Sequence, residues 1–163
     1  MTIAIYPGSF DPITLGHLNI IKRAAQAFDK VIVCVLVNSE KHGFFQPKER
    51  VALIREVVKE IPNVEVDASS ILLAEYARQR GARVLVKGLR MVADYEKEVQ
   101  MAIVNSKLNP ELDTVFFPSS EKYTYLSSTV VREMLRYHTD LTEFLPREII
   151  ETVRDKMREK EAD

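Results

Sequence analysis

The chain has 163 residues, 46% of them apolar and 29% charged, and carries a net charge of −1. That length suits one domain with a sizeable core, and the near-neutral balance excludes the global basic field of a nucleic-acid-binding module. No run of 18 apolar residues and no charged, apolar, small-residue leader occurs, so the expectation is a single cytoplasmic domain over 1–163 with no membrane contact.

A first strand is predicted over Thr2–Ile5, then a Gly/Pro-rich turn and a helix from about Leu15 to Phe28, with Leu18, Ile21, Ala25 and Phe28 on one face. Val31–Val37 is an unbroken apolar run, as expected of a parallel strand covered on both sides. It contains Cys34, the only cysteine, which reads as a buried thiol in a reducing compartment. The loop Asn38–Gln46 leads to Pro47 at a helix start, with Val51, Ile54, Val58 and Ile61 as its apolar stripe. A third strand follows over Val64–Ala68, then a helix over Leu72–Arg80 closed by Gly81. Arg83–Val86 is the fourth strand, Val92–Leu108 a helix and Thr114–Phe117 the fifth strand. Ser127 or Ser128 caps a helix to about Tyr137, and a last helix runs from Pro146 to about residue 160, with the charged tail Lys156–Asp163 at its end. Every proline is expected at an element boundary. Strand and helix alternate five times, which predicts an α/β fold: a five-stranded parallel sheet with helices on both faces, Rossmann-like.

In such sheets ligands bind beyond the carboxyl ends of the strands. Four of the five glycines (Gly8, Gly16, Gly43 and Gly88) lie in segments that follow strand ends. The segment Gly8-Ser9-Phe10-Asp11-Pro12-Ile13-Thr14-Leu15-Gly16-His17 enters a helix, whose free N–H groups suit an anion. His17 sits in the first turn, where the amphipathic pattern does not require it. Asp11 reads as a local turn cap. Ser127, Ser128 and Thr129 put three hydroxyls at another helix start, one enough for a cap and the others free for a ligand. Lys87-Gly88-Leu89-Arg90 places two cations directly after a buried strand, and Glu98 on the following helix is a candidate acceptor for ribose hydroxyls. Lys41 stands open between a surface lysine and an anion ligand.

The first segment resembles the signature of the T/HxGH nucleotidyltransferase superfamily, and Leu126-Ser127-Ser128-Thr129 is similar to its second signature. Within it, Lys87-Gly88-Leu89-Arg90 with Asp94-Tyr95-Glu96, Glu98 and Gln100 resembles the segment characteristic of bacterial phosphopantetheine adenylyltransferases, and Phe144-Leu145-Pro146 extends the likeness. The resemblance implies adenylyl transfer from ATP to 4′-phosphopantetheine, giving dephospho-coenzyme A and pyrophosphate, with Mg²⁺, a homohexamer and feedback by coenzyme A. It places Ser9, His17 and Arg90 on the ATP phosphates, Lys41 and Lys87 near the acceptor phosphate (with Ser9 within reach), and Glu98 on the ribose. His17, Lys41 and Arg90 are the implied catalytic residues. Tyr123, Thr124, Tyr125, Leu126, Ser127, Ser128 and Thr129 would run along the nucleotide. Phe10, Gly88 and Leu89 would supply backbone or packing contacts, and Leu73 would touch the pantetheine arm. Lys87 and Ser9 stand where many members have Arg and Thr; Lys keeps the charge without the bidentate fork. No protein metal ligand is expected. The nearest rival is a sibling cytidylyltransferase or nicotinamide mononucleotide adenylyltransferase, and a second is a non-catalytic nucleotide sensor.

Overall fold

Each apolar run forms a strand in the computed structural model, which describes all 163 residues. The strands are β1 (Ile3–Gly8), β2 (Lys30–Leu36), β3 (Val64–Ser69), β4 (Val84–Leu89) and β5 (Asp113–Pro118). They are joined by helices α1 (Leu15–Ala27), α2 (Pro47–Val58), α3 (Leu73–Gln79) and α4 (Val92–Leu108). After β5 come α5 (Ser128–Arg136) and α6 (Ile150–Ala162). All pairings are parallel, in the order β3-β2-β1-β4-β5. The chain therefore winds outward from β1, returns across the sheet through α3, and winds outward again on the other side.

Alternation along the strands divides the core in two. Ala4, Tyr6, Val31, Val33, Val35, Val66 and Val86 join the larger cluster with Ile21 and Ala24 of α1, Ile54 of α2, Val131 of α5 and Val153 of α6. Ile5, Ile32, Cys34 and Leu85 face the opposite side, against Ala74, Tyr76 and Ala77 of α3. A fully buried Ile or Leu of this kind stabilises the fold by about 1.5–3 kcal/mol. Cys34 is wholly enclosed, and burial raises its thiol to about 11. On this second face α4 is only lightly covered: Asn105 is its one buried residue.

Two strands run further than their apolar runs suggest. β1 continues through Tyr6-Pro7-Gly8, so Pro7 lies inside a strand and not at a boundary. It is accommodated because β1 pairs with β4 only over Ala4 and Ile5, which leaves Pro7 with a ladder partner on the β2 side alone. Similarly, β4 includes Lys87, Gly88 and Leu89, paired with Phe116, Phe117 and Pro118 of β5. The last helix does not start at Pro146: a short 3₁₀ turn over Arg147–Ile149 precedes α6.

Gly81 closes α3 with φ of +64°, and a Cβ added there would meet no atom within 4 Å. Backbone conformation alone makes glycine necessary. Gly81→Ala is expected to lower stability by about 1 kcal/mol through the left-handed φ alone, read as a shifted urea midpoint at constant slope. An unchanged midpoint would show that the turn relaxes freely.

Candidate active site

At the carboxyl ends of β1 and β4 a cavity of about 370 Å³ is lined by 20 residues, only 4 of them hydrophobic. Its walls come from the turn after β1 and the start of α1 (Ser9, Thr14, Gly16, His17), from the end of β4 and α4 (Lys87, Gly88, Arg90, Asp94, Glu98), and from the start of α5 (Leu126, Ser127, Ser128, Thr129, Arg132). Sequence segments more than a hundred residues apart thus meet here.

His17 is held by the helix end on which it sits. Thr14 is the N-cap of α1, and its Oγ1 accepts from the His17 amide at 3.3 Å. In return the Thr14 amide donates to His17 Nδ1 at 3.0 Å, which makes a capping box with histidine in the usual Glu or Gln position. An amide nitrogen can only donate, so Nδ1 is the lone-pair side of the ring and the proton of the neutral imidazole resides on Nε2. Phe10, at φ of 46°, brings its ring edge-on to His17 at 5.0 Å, and Tyr6 packs edge-on against Phe10 at 5.3 Å. Burial, with the nearby Arg90 cation second, lowers the His17 pKa to about 4. The imidazole is therefore neutral at neutral pH and offers Nε2–H to the cavity.

The cations are held in place by carboxylates of the fold. Lys87 Nζ lies 3.1 Å from Glu98 Oε2, which joins β4 to α4. Arg90 Nε and its main-chain amide both donate to Asp94 Oδ2 at 3.1 Å, and Nη1 donates to the Leu126 carbonyl at 3.1 Å. Asp94 is held below the usual carboxylate range: its partial burial alone would raise it, but hydrogen bonds and charge from Arg90 outweigh that. Burial, and then Glu98, push the Tyr6 phenol far up, so it is a neutral hydroxyl.

Of the three consecutive hydroxyls, Ser127 is the N-cap of α5, accepting from the Val130 amide at 3.2 Å. Ser128 Oγ donates to the Pro12 carbonyl at 2.7 Å, tying α5 to the first turn, and Thr129 Oγ1 accepts from Arg132 at 3.3 Å. All three also line the cavity. Two of them thus cap or tie the backbone as well as lining the cavity.

A second cavity of about 340 Å³ adjoins the first and shares Ser9 and Arg132 with it. Lys41 lines this second cavity, whereas Lys87 lines the first. Tyr123 lines the main cavity, but Thr124 and Tyr125 do not: the Thr124 hydroxyl donates to the Glu121 carbonyl, and the Tyr125 ring packs edge-on to Phe144. Phe10 acts from beneath, through His17, and Leu89 ends β4 outside the lining. Leu73 packs against the second core cluster, away from both cavities. Asp11 is not a local cap: its carboxylate accepts from the amides of Phe44 and Phe45. Asp94, Arg132 and Tyr6 are site residues to which the motifs assign no role. Asp94 lies four residues after Arg90, a spacing that favours a pair. Nothing local marks Arg132 or Tyr6.

No group of three or more His, Cys, Asp or Glu side chains is arranged to hold a metal ion. No helix is long and apolar enough to cross a membrane.

The model of the cytidylyltransferase-like family matches residues 5–134. The phosphopantetheine adenylyltransferase of Caldanaerobacter subterraneus subsp. tengcongensis is 52% identical over 158 residues, covering 97% of this chain and 99% of that one. That of Alkaliphilus metalliredigens is 49% identical over 156 residues, covering 96% and 99%. Among solved structures, a bifunctional NMN adenylyltransferase/ADP ribose pyrophosphatase from Francisella tularensis superposes with a TM-score of 0.73 at 15% identity, over 98% of this chain and 50% of that one. Plasmodium falciparum nicotinic acid mononucleotide adenylyltransferase gives 0.67 at 14%, over 98% and 95%. At such identities the likeness is one of fold.

With Nδ1 engaged by Thr14, the His17 ring is expected to titrate near 4 and to remain the Nε2–H tautomer above that. Because the unfolded histidine binds its proton more readily, stability should fall as pH drops from about 6.5 toward 4. Nitrogen NMR of the ring checks both; titration near 6.5 would contradict them.

Proposed function

The chain belongs to the phosphopantetheine adenylyltransferases of the cytidylyltransferase-like family, and we propose that its cavity works by positioning and charge stabilisation, with no general base. The reaction moves the adenylyl group of ATP to 4′-phosphopantetheine, giving dephospho-coenzyme A and pyrophosphate. The acceptor phosphate is already an oxyanion at neutral pH. One of its oxygens attacks the α-phosphorus, the bond to the bridging oxygen of the β-phosphate breaks, and pyrophosphate leaves with that electron pair.

The observation that carries this reading is the His17 imidazole, neutral, with Nδ1 occupied and Nε2–H free at the N-terminus of α1. A ring so held is a poor base, since its lone pair is turned to the Thr14 amide. It is a fixed donor, suited to charge that develops on the α-phosphate. Ser9 and Arg90 bind the ATP phosphates beside it. Lys87 takes the acceptor phosphate from the main cavity and Lys41 from the adjoining one, with Ser9 between them. Glu98 accepts from the ribose hydroxyls once Lys87 turns to a phosphate. Tyr123, Leu126 and Ser127–Thr129 supply the nucleotide contacts; Thr124 and Tyr125 support that strip from behind. Gly88 keeps the cavity floor open, and Phe10 and Leu89 pack it. Leu73, outside both cavities, would reach the pantetheine arm only at its far end.

Mg²⁺ is assigned to the incoming ATP. Asp94 and Glu98 are the carboxylates of the cavity lining and each is paired with a cation, a donor set that suits an ion carried mainly by phosphate oxygens. Its chemistry is neutralisation of phosphate charge. The homohexamer draws support from α4, where Met101, Ile103, Val104 and Leu108 are each 40–55% exposed, an apolar stripe that a second copy would cover. Feedback by coenzyme A follows from its structure, which contains the whole of the product. A cytoplasmic location accords with a chain whose one cysteine, Cys34, is buried within the sheet.

Pyrophosphate release should require both ATP and 4′-phosphopantetheine, in the presence of Mg²⁺. Turnover with CTP, or with nicotinamide mononucleotide as acceptor, would move the chain to a sibling activity, and ATP binding without turnover would make it a sensor. His17→Ala should lower kcat about 10²–10³-fold with little change in ATP affinity. Near-normal kcat in His17→Ala would end the donor role. Lys87→Ala should raise KM for the acceptor more than for ATP, and equal changes would reject its assignment. Sedimentation or native mass should give six copies, and a charge at Val104 should break them apart.

A further inference from the structure

Asp11 lies in the turn after β1, and its carboxylate is buried. Oδ2 accepts from the Phe44 amide at 2.7 Å and Oδ1 from the Phe45 amide at 2.8 Å, 33 and 34 residues further along the chain. Arg50 of α2 closes the arrangement. Its Nε lies 3.3 Å from Asp11 Oδ1, donates to the Phe45 carbonyl at 2.9 Å, and its Nη1 donates to the Ser9 carbonyl at 3.3 Å. From the other side Arg132 donates to the Asp11 carbonyl at 2.5 Å. The carboxylate is therefore satisfied by two amides and a guanidinium, all fixed by backbone or burial.

The segment so clamped is the loop between β2 and α2, which carries Lys41 three residues before Phe44. Before the clamp the loop bonds mainly to itself: the Lys41 amide donates to the Asn38 carbonyl and the Glu40 amide to Asn38 Oδ1. Gly43 shows how closely the clamp is packed, since a Cβ there would lie 1.7 Å from Arg50 Nη2. Any side chain at 43 would drive the guanidinium out. One carboxylate thus fixes the far end of the Lys41 loop to the turn that carries Ser9, two residues from Asp11 itself.

We infer that Asp11 is a positioning residue for the acceptor phosphate, setting the reach of Lys41 relative to Ser9 and His17 through the Phe44 and Phe45 amides. The inference rests on the assignment of Lys41 above. Asp11 touches no reacting atom; it acts through the loop. Asp11→Asn keeps the size of the side chain but presents an NH₂ group to one of the two amide donors, so one of the clamp bonds is lost.

The test compares Asp11→Asn, Gly43→Ala and Lys41→Ala, alone and combined. Asp11→Asn and Gly43→Ala, which strain the clamp from opposite sides, should each lower kcat/KM for 4′-phosphopantetheine about 10–100-fold, as misplacement of a reacting partner by an ångström does. ATP affinity by calorimetry should hold, which also shows that both variants are folded. In the Lys41→Ala background Asp11→Asn should add nothing further. Hydrogen exchange should show the Phe44 and Phe45 amides protected in the native chain and opened in Asp11→Asn. Unchanged acceptor kinetics in Asp11→Asn, or a loss that multiplies with that of Lys41→Ala, would overturn the positioning role while leaving Lys41 in place. A silent Lys41→Ala would remove the assignment of Lys41, and the positioning role with it.

Discussion

β1 and β4 pair over only two residues on each strand, Ala4 with Val84 and Ile5 with Leu85, whereas each of the other three pairings runs for six. Beyond that short ladder the two central strands no longer bond to each other, and Tyr6-Pro7-Gly8 faces Lys87 and Gly88 across a gap that becomes the cavity floor. The gap lies where the chain reverses its direction of travel through the sheet, the place where helices leave on opposite sides and cannot cover the strand ends. Both halves of the site depend on this break. The turn that follows Gly8 can only bring its amides and His17 to a ligand because β4 has ceased to pair alongside it.

Around the gap, charge is arranged in advance. Lys87 is matched by Glu98, Arg90 by Asp94 and Arg132 by the Asp11 region, and the side chains of the first two pairs are each between one-fifth and two-fifths exposed. Partly solvated pairs like these are worth only about 0.2–1 kcal/mol. Little would be lost if a phosphate replaced the carboxylate, and the cation is already in position and need not be drawn in from solvent. The buried contact is of another kind. Asp11 and Arg50 have side chains about one-tenth exposed, and breaking that pair would leave an enclosed charge without a partner. Exchangeable pairs thus line the main cavity, while the fixed one lines the adjoining cavity beside Lys41.

Much of this was legible in the sequence. Five strands in order, the helix starts at Leu15 and Pro47, the cap at Gly81 and the concentration of chemistry at strand ends all follow from periodicity, proline and glycine. Strand ends were less legible: Pro7 and Gly88 look like breaks locally, and only the one-sided pairing of β1 and the partnership with β5 make them strand. The roles of single polar residues were least legible. Asp11 has every local sign of a turn cap, and its true partners are main-chain amides, which carry no side-chain signature at all. Ser128 and the Pro12 carbonyl are a second case of the same kind. Conversely, Thr124 and Tyr125 directly follow Tyr123 yet lie outside the cavity lining, one bonded to the Glu121 carbonyl and the other packed on Phe144.

The tautomer of His17 also sets terms for molecules that are not substrates. With its lone pair given to the Thr14 amide, the ring offers the cavity a hydrogen and nothing else. A synthetic ligand built to sit there gains by presenting a carbonyl, sulfonyl or ring nitrogen, while an amine or amidine, attractive on the grounds that histidine is a common acceptor, would meet hydrogen with hydrogen. Selectivity against proteins whose pocket histidine is free to flip would then come from that one fixed polarity, without any added bulk.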